Sequence, residues 1–358
     1  SKKRGQPGSS SRKCSESVCT SNNRNRAVST VSDARPSHAL GTTTTASDQQ
    51  AGPFWTAPLW ILAAAVLWGT TGTALALGSP AAHPVAVGTL RLLVGSPLLL
   101  LMFRPPRRLP AAALLSLFLG SLGIALYQPA FFLGVRANGV AIGTLLAIGS
   151  APVAAAILQF VVERCVPPRR WILATALTLT GLTLLVQPVA AGRLSVIGML
   201  ASVGAGSSYA LFVLATRRAI AHGLASHHIV SIAFTIAALL LAPTLVRFPL
   251  DWLGTPRGLA SVLHLGIVAT SIAYALFARG VARTSTATTA TLSLAEPLTA
   301  SLLATLVLGE DLDTSRVVGA IVLLTGLATL ALAEGSAKVQ KRDTPAITSS
   351  TSSRREKT

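Results

Sequence analysis

Long apolar stretches alternate with short polar turns over most of the chain. Ten such stretches occur, each close to the ~20 residues that a helix needs to cross a bilayer. They run over 57–77, 84–103, 110–132, 139–162, 170–187, 194–215, 229–249, 258–278, 286–308 and 315–334. The turns between them are too short for an extramembrane domain. The pattern predicts an all-α integral membrane protein with ten transmembrane helices.

Polar segments flank this apolar region. Residues 1–52 and 336–358 are rich in Ser, Thr, Lys and Arg and have no apolar periodicity, which is typical of disordered tails. Charged residues make up 12% of the 358-residue chain, against about 25% in soluble proteins. The composition therefore excludes a soluble domain with a single membrane anchor.

The distribution of basic residues predicts the orientation of the chain. Of 30 Lys and Arg residues, 14 lie in the two tails, and most of the others lie in turns, so the net charge of +18 does not indicate a nucleic-acid site. With the N-terminal tail inside, ten turn arginines lie inside and five outside. The positive-inside rule then places both termini in the cytoplasm. Lysine is confined to the tails and arginine predominates elsewhere, which favours a bacterial plasma membrane protein from a GC-rich genome.

The two halves of the apolar region share landmarks. Pro152 and Gly181 in the first half correspond to Pro297 and Gly326 in the second, each pair being 145 residues apart. We therefore predict two repeats of five helices, over 57–187 and 194–334. Because five is an odd number, the second repeat enters the membrane inverted, as in many secondary transporters that alternate between two open states.

These sequences resemble the EamA-type exporters of the drug/metabolite transporter superfamily. The resemblance covers about residues 57–334 and is carried by LWGTTGTA (67–74), TLRLLVG (89–95), NGVAIGTLLAIGSAPVAAAIL (138–158), RTSTATTATLSLAEPLTASLLATLVLGEDL (283–312) and GAIVLLTGLATLAL (319–332). In the first half, Val162 stands before Glu163 where the family usually has glycine, and the spacing from Pro152 to Glu163 is two residues shorter than from Pro297 to Glu310. The resemblance implies ten spans, a central cavity and export of small metabolites, amino acids or drugs, and it names no substrate.

Glu296 is the only charged residue between Thr286 and Leu308. It lies about ten residues into its span, roughly 15 Å deep at ~1.5 Å per residue, close to the bilayer midplane. A charge at that depth usually faces a cavity or a partner. Three interpretations remain open: Glu296 binds a substrate amine, carries a coupling proton, or bonds backbone groups freed by Pro297.

Arg91 is the other charge inside a span, at a predicted depth of roughly 12 Å. It could form an ion pair with Glu296 that breaks and re-forms as a gate, or bond helix-end carbonyls, or extend toward the interface. Pro152 and Pro297 each remove a backbone N–H donor, so they are candidate hinges as well as candidate static kinks.

Polar and aromatic side chains within the spans are candidates for the cavity wall. Trp68, Thr71, Tyr127, Gln128 and Tyr274 offer stacking faces and hydrogen bonds to a small solute. The alternative for the aromatic residues is the interfacial belt. His264 is a candidate proton carrier or a hydrogen-bonded packing residue.

The sequence predicts a transporter without metal or cofactor, whose partners are a small-molecule substrate and the lipid bilayer. Only one carboxylate lies deep in a span, no HExxH motif occurs, and no span contains lysine, all of which disfavour a polytopic membrane enzyme. A Walker A motif is absent, which disfavours ATP-driven transport by this chain alone. An uncoupled channel is a further alternative, and the oligomeric state stays open.

Overall fold

The computed structural model describes residues 56–78, 82–138, 140–186, 194–309 and 313–340. Within these ranges every regular element is helical, and ten segments have the length and apolar character of membrane spans. The prediction of an all-α membrane protein with ten transmembrane helices is confirmed. The predicted N-terminal tail (1–52), Glu310, and residues 341–358 of the predicted C-terminal tail lie outside the described residues.

Twelve helices form the ten spans within the described ranges. The first seven spans are α1 (Thr56–Leu77), α2 (Pro84–Met102), α3 (Ala111–Asn138), α4 (Val140–Glu163), α5 (Arg169–Val186), α6 (Val196–Ala221) and α7 (Ser226–Leu241). The eighth span joins α8 (Pro256–Gly266), a π-helical turn (Ile267–Ile272) and α9 (Ala273–Val281). The ninth span comprises α10 (Thr286–Leu292) and α11 (Ala295–Leu308), and the tenth is α12 (Thr314–Gln340). The helix α12 thus continues beyond residue 334, where the sequence pattern places its end.

Short polar side chains fix where several helices begin. Ser195, Thr255 and Ser285 precede α6, α8 and α10, and each side chain accepts a hydrogen bond from a backbone N–H three residues later. These bonds satisfy donors that have no partner within the helix. At the other end of a helix, Gly309 terminates α11 in the left-handed conformation, with φ of 73°.

The ninth span is interrupted between its two helices. The helix α10 ends at Leu292 and α11 begins at Ala295. A proline ring collides with the carbonyl four residues before it, and four residues before Pro297 is Ser293, which lies in the interruption. The repeat partner, Pro152, lies inside the uninterrupted helix α4. Prolines at equivalent positions therefore accompany an interruption in the ninth span and a continuous helix in the fourth.

Two hydroxyl groups stabilise the π-helical turn of the eighth span. Thr270 Oγ1 donates to the carbonyl of Leu265 (2.8 Å), and Ser271 Oγ donates to the carbonyl of Gly266 (2.9 Å), each five residues earlier. Ser271 Oγ is also within 2.9 Å of the carbonyl of Gly95 on α2. Such turns are rare and occur often at functional sites.

Helix contacts between the two halves occur in related pairs. The helix α1 packs on the eighth and ninth spans, and α6, its counterpart in the second half, packs on α3 and α4. The pairs α2–α7 and α5–α12 each join two counterpart helices. If each helix is replaced by its counterpart in the other half, the contacts of α1 therefore become those of α6, and the pairs α2–α7 and α5–α12 are unchanged.

Close backbone approach joins α5 to α12. A Cβ atom at Gly181 would meet the backbone of Gly319 and Leu323, and one at Gly326 would meet the backbone of Thr178. The two landmark glycines of the sequence repeat thus lie in a single interface, on opposite helices. Small residues at such positions allow membrane helices to approach closely.

The two ends of α2 carry similar ring contacts to the second half. His83, before α2, stacks on Phe248 at a centroid distance of 3.9 Å. Phe103, after α2, contacts His227 at 5.1 Å, and His227 contacts His228. His83 and His228 are 145 residues apart, as are Phe103 and Phe248. The spacing equals that of the landmark prolines and glycines, so these four residues are repeat counterparts, although the ring that Phe103 contacts is that of His227, the neighbour of His228.

Candidate functional site

A cavity of about 60 Å³ lies between the two halves of the protein. Its wall contains residues of α1, α2, α3 and α4 from the first half, and of α6, α7, α9 and the ninth span from the second. The lining residues are Trp68, Thr71, Arg91, Ile124, Tyr127, Gln128, Ala147, Ile148, Ala151, Tyr209, Phe234, Tyr274, Ala290, Ser293 and Glu296. The cavity thus combines aromatic faces, hydrogen-bonding groups and one charge of each sign.

All seven residues that the sequence nominates for the cavity wall lie in this one wall. They are Trp68, Thr71, Arg91, Tyr127, Gln128, Tyr274 and Glu296. The candidate hinges Pro152 and Pro297 are next to wall residues, following Ala151 and Glu296 respectively. Their mobility stays a prediction, as does substrate binding by the seven.

The interruption of the ninth span places Glu296 at the cavity. Glu296 is in the first turn of α11, and its N–H donates to the carbonyl of Ser293 at 3.1 Å, a spacing of three residues instead of four. The tightened turn follows from the absent N–H and the steric demand of Pro297. Within the described residues, no group hydrogen-bonds the Glu296 carboxylate, so the backbone anchor considered from the sequence is not formed here.

The π-helical turn contacts Arg91 through the hydroxyl of Thr270. Arg91 Nε donates to Thr270 Oγ1 at 3.2 Å, and the Thr270 hydroxyl is already engaged as donor to the carbonyl of Leu265. Among the described residues, no ion pair within 4.0 Å joins Arg91 to Glu296. The ion pair considered from the sequence is therefore open in this conformation, although both groups line the same cavity.

Aromatic rings form one side of the cavity. Tyr274 lies 4.8 Å from Trp68 and 4.2 Å from Phe234, between ring centroids, and Tyr209 meets Trp68 edge-on at 6.3 Å. Trp68 is only 5% exposed, and in the described part of the chain its Nε1 has no hydrogen-bond partner. A buried donor without a partner is costly, and Nε1 is enclosed by protein in this conformation, so Trp68 offers the cavity its ring and not its N–H.

Sequence reasoning did not single out Tyr209 or Ser293 for the cavity wall. Tyr209 is in the middle of α6, and its hydroxyl lies 2.7 Å from Ser293 Oγ at the interruption of the ninth span. Ser293 Oγ donates to the carbonyl of Thr289, so Tyr209 is the donor to Ser293. The sequence did contain one signal. Tyrosine is rare in this chain, with three residues, and the other two, Tyr127 and Tyr274, were already candidates for the cavity wall. All three line the cavity.

His264 lies outside the cavity wall. Its Nε2 is 2.8 Å from Thr70 Oγ1, and that hydroxyl donates to the carbonyl of Leu67 at 2.7 Å. His264 Nε2–H is therefore the donor in the contact between the first and eighth spans. The geometry is that of a hydrogen-bonded packing residue, which is one of the two interpretations that the sequence allows.

Comparison with known proteins decides the family. The sequence profile of the EamA-like transporter family matches residues 55–187 and again 196–332. The chain belongs to this family. Its membership confirms the resemblance seen in the sequence, and it identifies the chain as a multi-pass membrane protein of a transporter family.

Individual relatives agree with the family assignment. The EamA-like chain is 40% identical over 277 residues to the uncharacterized transporter YwfM of Bacillus subtilis (strain 168), covering 77% of this chain and 93% of that protein. A crystal structure of another protein has the same fold, with a TM-score of 0.66 and 18% identity over 81% of this chain and 99% of that one. The structural likeness supports the helical fold alone.

Proposed function

We propose that this EamA-like protein is a secondary transporter that exports a small solute through the central cavity by alternating access. The observation that carries the proposal is the cavity itself, because both halves build it and it holds a carboxylate and a guanidinium without an ion pair between them. Charges are costly inside a membrane and usually mark the path of a substrate or ion.

The equivalence of helix contacts in the two halves supports alternating access. Two inverted repeats over 57–187 and 194–334 can each adopt the conformation of the other, which opens the cavity to one side and then to the opposite side. The contacts of α1 and α6 follow this exchange. The bias of arginine toward alternate turns supports an orientation with both termini in the cytoplasm.

Glu296 is the centre of the coupling hypothesis. A carboxylate in the cavity wall with no hydrogen-bond partner among the described residues is free to bind a cationic group of the solute or a proton. Protonation would remove the charge during one half of the cycle, which links export to the proton gradient. Tyr209, Tyr274 and Trp68 provide apolar faces for the remainder of a small organic solute.

The test uses purified protein in proteoliposomes loaded with labelled metabolites, amino acids or drugs, with and without an imposed pH gradient. We expect saturable flux that the gradient accelerates, and we expect Glu296→Gln to lose the acceleration while retaining its fold. Glu163→Gln is the matched control, because Glu163 is exposed at the end of α4. Flux through Glu296→Gln that still follows the gradient would exclude proton coupling through this residue, and non-saturable flux would indicate a channel.

A further inference from the structure

The π-helical turn of the eighth span contacts one residue of the cavity wall, Arg91, through the side chain of Thr270. Thr270 is fully buried, and its hydroxyl donates to the carbonyl of Leu265 while accepting from Arg91 Nε. In a regular α-helix the carbonyl within reach of this hydroxyl would be four residues back. The wider turn therefore directs the oxygen of Thr270 toward α2, where Arg91 lies.

The hydrogen bond to Thr270 leaves one edge of the guanidinium available. Arg91 has five N–H donors in a planar fork, and in the described structure the side chain makes one hydrogen bond, through Nε. The four N–H groups on the two Nη atoms have no protein acceptor among the described residues. Because Arg91 also lines the cavity, these donors are available to an anionic group there.

The Nη groups of Arg91 favour a carboxylate as the anionic group of the solute, because a guanidinium fork pairs with an acceptor that has two oxygens. Trp68 lines the same wall, but its Nε1 is enclosed by protein in this conformation and adds no accessible donor. Glu296 lines the same cavity and carries the opposite charge, so it would repel that carboxylate and attract a cationic group.

We propose that Thr270 is a positioning residue, which fixes Arg91 through the π-helical turn so that Arg91 binds the carboxylate of a small solute. The proposal rests on the proposed transport function and adds one chemical requirement to it. The solute carries a carboxylate, which binds at Arg91, in addition to any group that binds at Glu296.

Pairs of solutes that differ only at the carboxyl group test this requirement. The probes are α-amino acids and the matching amino acid amides, which share the ammonium group and side chain. In counterflow assays with the whole protein in proteoliposomes, we expect saturable transport of an α-amino acid and weak transport of its amide. Arg91→Gln should raise the KM for the acid about tenfold, which corresponds to one charge-assisted hydrogen bond, and leave the KM for the amide unchanged.

Thr270→Val keeps the β-branched shape and removes the hydroxyl, so the KM for the acid should rise about tenfold with little change in maximal rate. Thr270→Ser should restore the wild-type KM. Ser271→Ala is the matched control, because Ser271 makes the same hydrogen bond to a carbonyl five residues back but has no bond to Arg91. A Thr270→Val variant with the KM of Ser271→Ala, or equal transport of acid and amide by the wild type, would overturn the proposal.

Two further results separate the possible failures. Wild-type protein that shows no saturable counterflow of any solute would overturn the transport function itself. Saturable counterflow restricted to solutes without a carboxylate would overturn only the role of Arg91 and Thr270. If Thr270→Val does not fold, as judged by size-exclusion chromatography, Arg91→Lys replaces it. Lysine keeps the charge without the fork, so wild-type kinetics in Arg91→Lys would equally overturn the proposal.

Discussion

The unpartnered indole N–H of Trp68 yields the first prediction at the scale of single residues. This group is enclosed in the present conformation. If it binds the solute in another conformation of the transport cycle, Trp68→Phe removes one hydrogen bond and keeps an aromatic ring beside Tyr274. We expect the KM for the solute to rise roughly threefold to tenfold, while thermal stability changes little. Transport kinetics in proteoliposomes and unfolding in detergent measure the two effects.

Two other tryptophans are controls for this substitution. Trp171 and Trp252 are also buried, and among the described residues their Nε1 atoms have no partner either, but neither lines the cavity. Phenylalanine at these positions should leave the KM unchanged. An equal rise in KM for Trp171→Phe would show that the effect of Trp68→Phe arises from packing instead of solute binding.

Residues that are unusual for a membrane span were the ones that the sequence could nominate. Glu296, Arg91, Trp68 and Tyr274 are polar or aromatic within apolar stretches, and all line the cavity. Thr270 escaped notice because threonine is ordinary within a span, where its hydroxyl usually bonds the preceding turn of its own helix. Its contact with Arg91 depends on the local register of the eighth span, which no composition signal reveals.

At the scale of elements, the interface between α5 and α12 yields a prediction on stability. Gly181→Ala would place a methyl group against the backbone of Gly319 and Leu323, which cannot move away as a flexible side chain would. We expect the free energy of unfolding to fall by about 1–3 kcal/mol, the usual cost of overpacking. Thermal or denaturant unfolding in detergent micelles measures the change.

Gly204 on α6 is the matched control for Gly181, since a Cβ at this position meets no atom within 4 Å. Alanine there should stabilise the helix by about 0.5–1 kcal/mol, because glycine loses more conformational freedom on folding. If Gly181→Ala were as stable as Gly204→Ala, close approach of the backbones would not be what holds α5 against α12.

Element boundaries show where sequence reasoning stops. Hydrophobic length predicted the ten spans, because a bilayer requires about 20 apolar residues. It did not predict the interruption at Ser293 or the π-helical turn. Pro297 made an interruption plausible, yet Pro152 lies in a continuous helix. A proline alone therefore does not determine whether a span is interrupted. The π-helical turn depends on hydrogen bonds of Thr270 and Ser271 to carbonyls five residues back, which helix propensity does not encode.

At the scale of the whole molecule, the repeat connects sequence spacing to helix packing. The spacing of 145 residues relates Pro152 to Pro297 and Gly181 to Gly326. It also relates His83 to His228 and Phe103 to Phe248, which lie at or near the ring contacts at the two ends of α2. The helix α2 has 19 residues, or roughly 28 Å at ~1.5 Å per residue, close to the thickness of the apolar membrane core. The two contacts therefore lie near opposite faces of the membrane.

These contacts predict how the cavity opens to each side. The ring contact between His83 and Phe248 joins the halves at one end of α2, and that between Phe103 and His227 joins them at the other. Each ring pair contributes about 0.5–1.5 kcal/mol, so its loss should shift the ratio of open to closed states roughly twofold to tenfold. Phe248→Ala should favour opening at the His83 end, and Phe103→Ala should favour opening at the opposite end.

A cysteine in place of Thr71, in the cavity wall, reports which end has opened. Vesicles of known orientation are treated with a membrane-impermeant thiol reagent on one side at a time, and the parent protein without the added cysteine gives the background. Phe248→Ala and Phe103→Ala should accelerate labelling from opposite sides. Phe118→Ala is the control, because Phe118 is exposed on α3. Because the two contacts lie at opposite ends of α2, faster labelling from the same side in both variants would contradict their role as opposing closures.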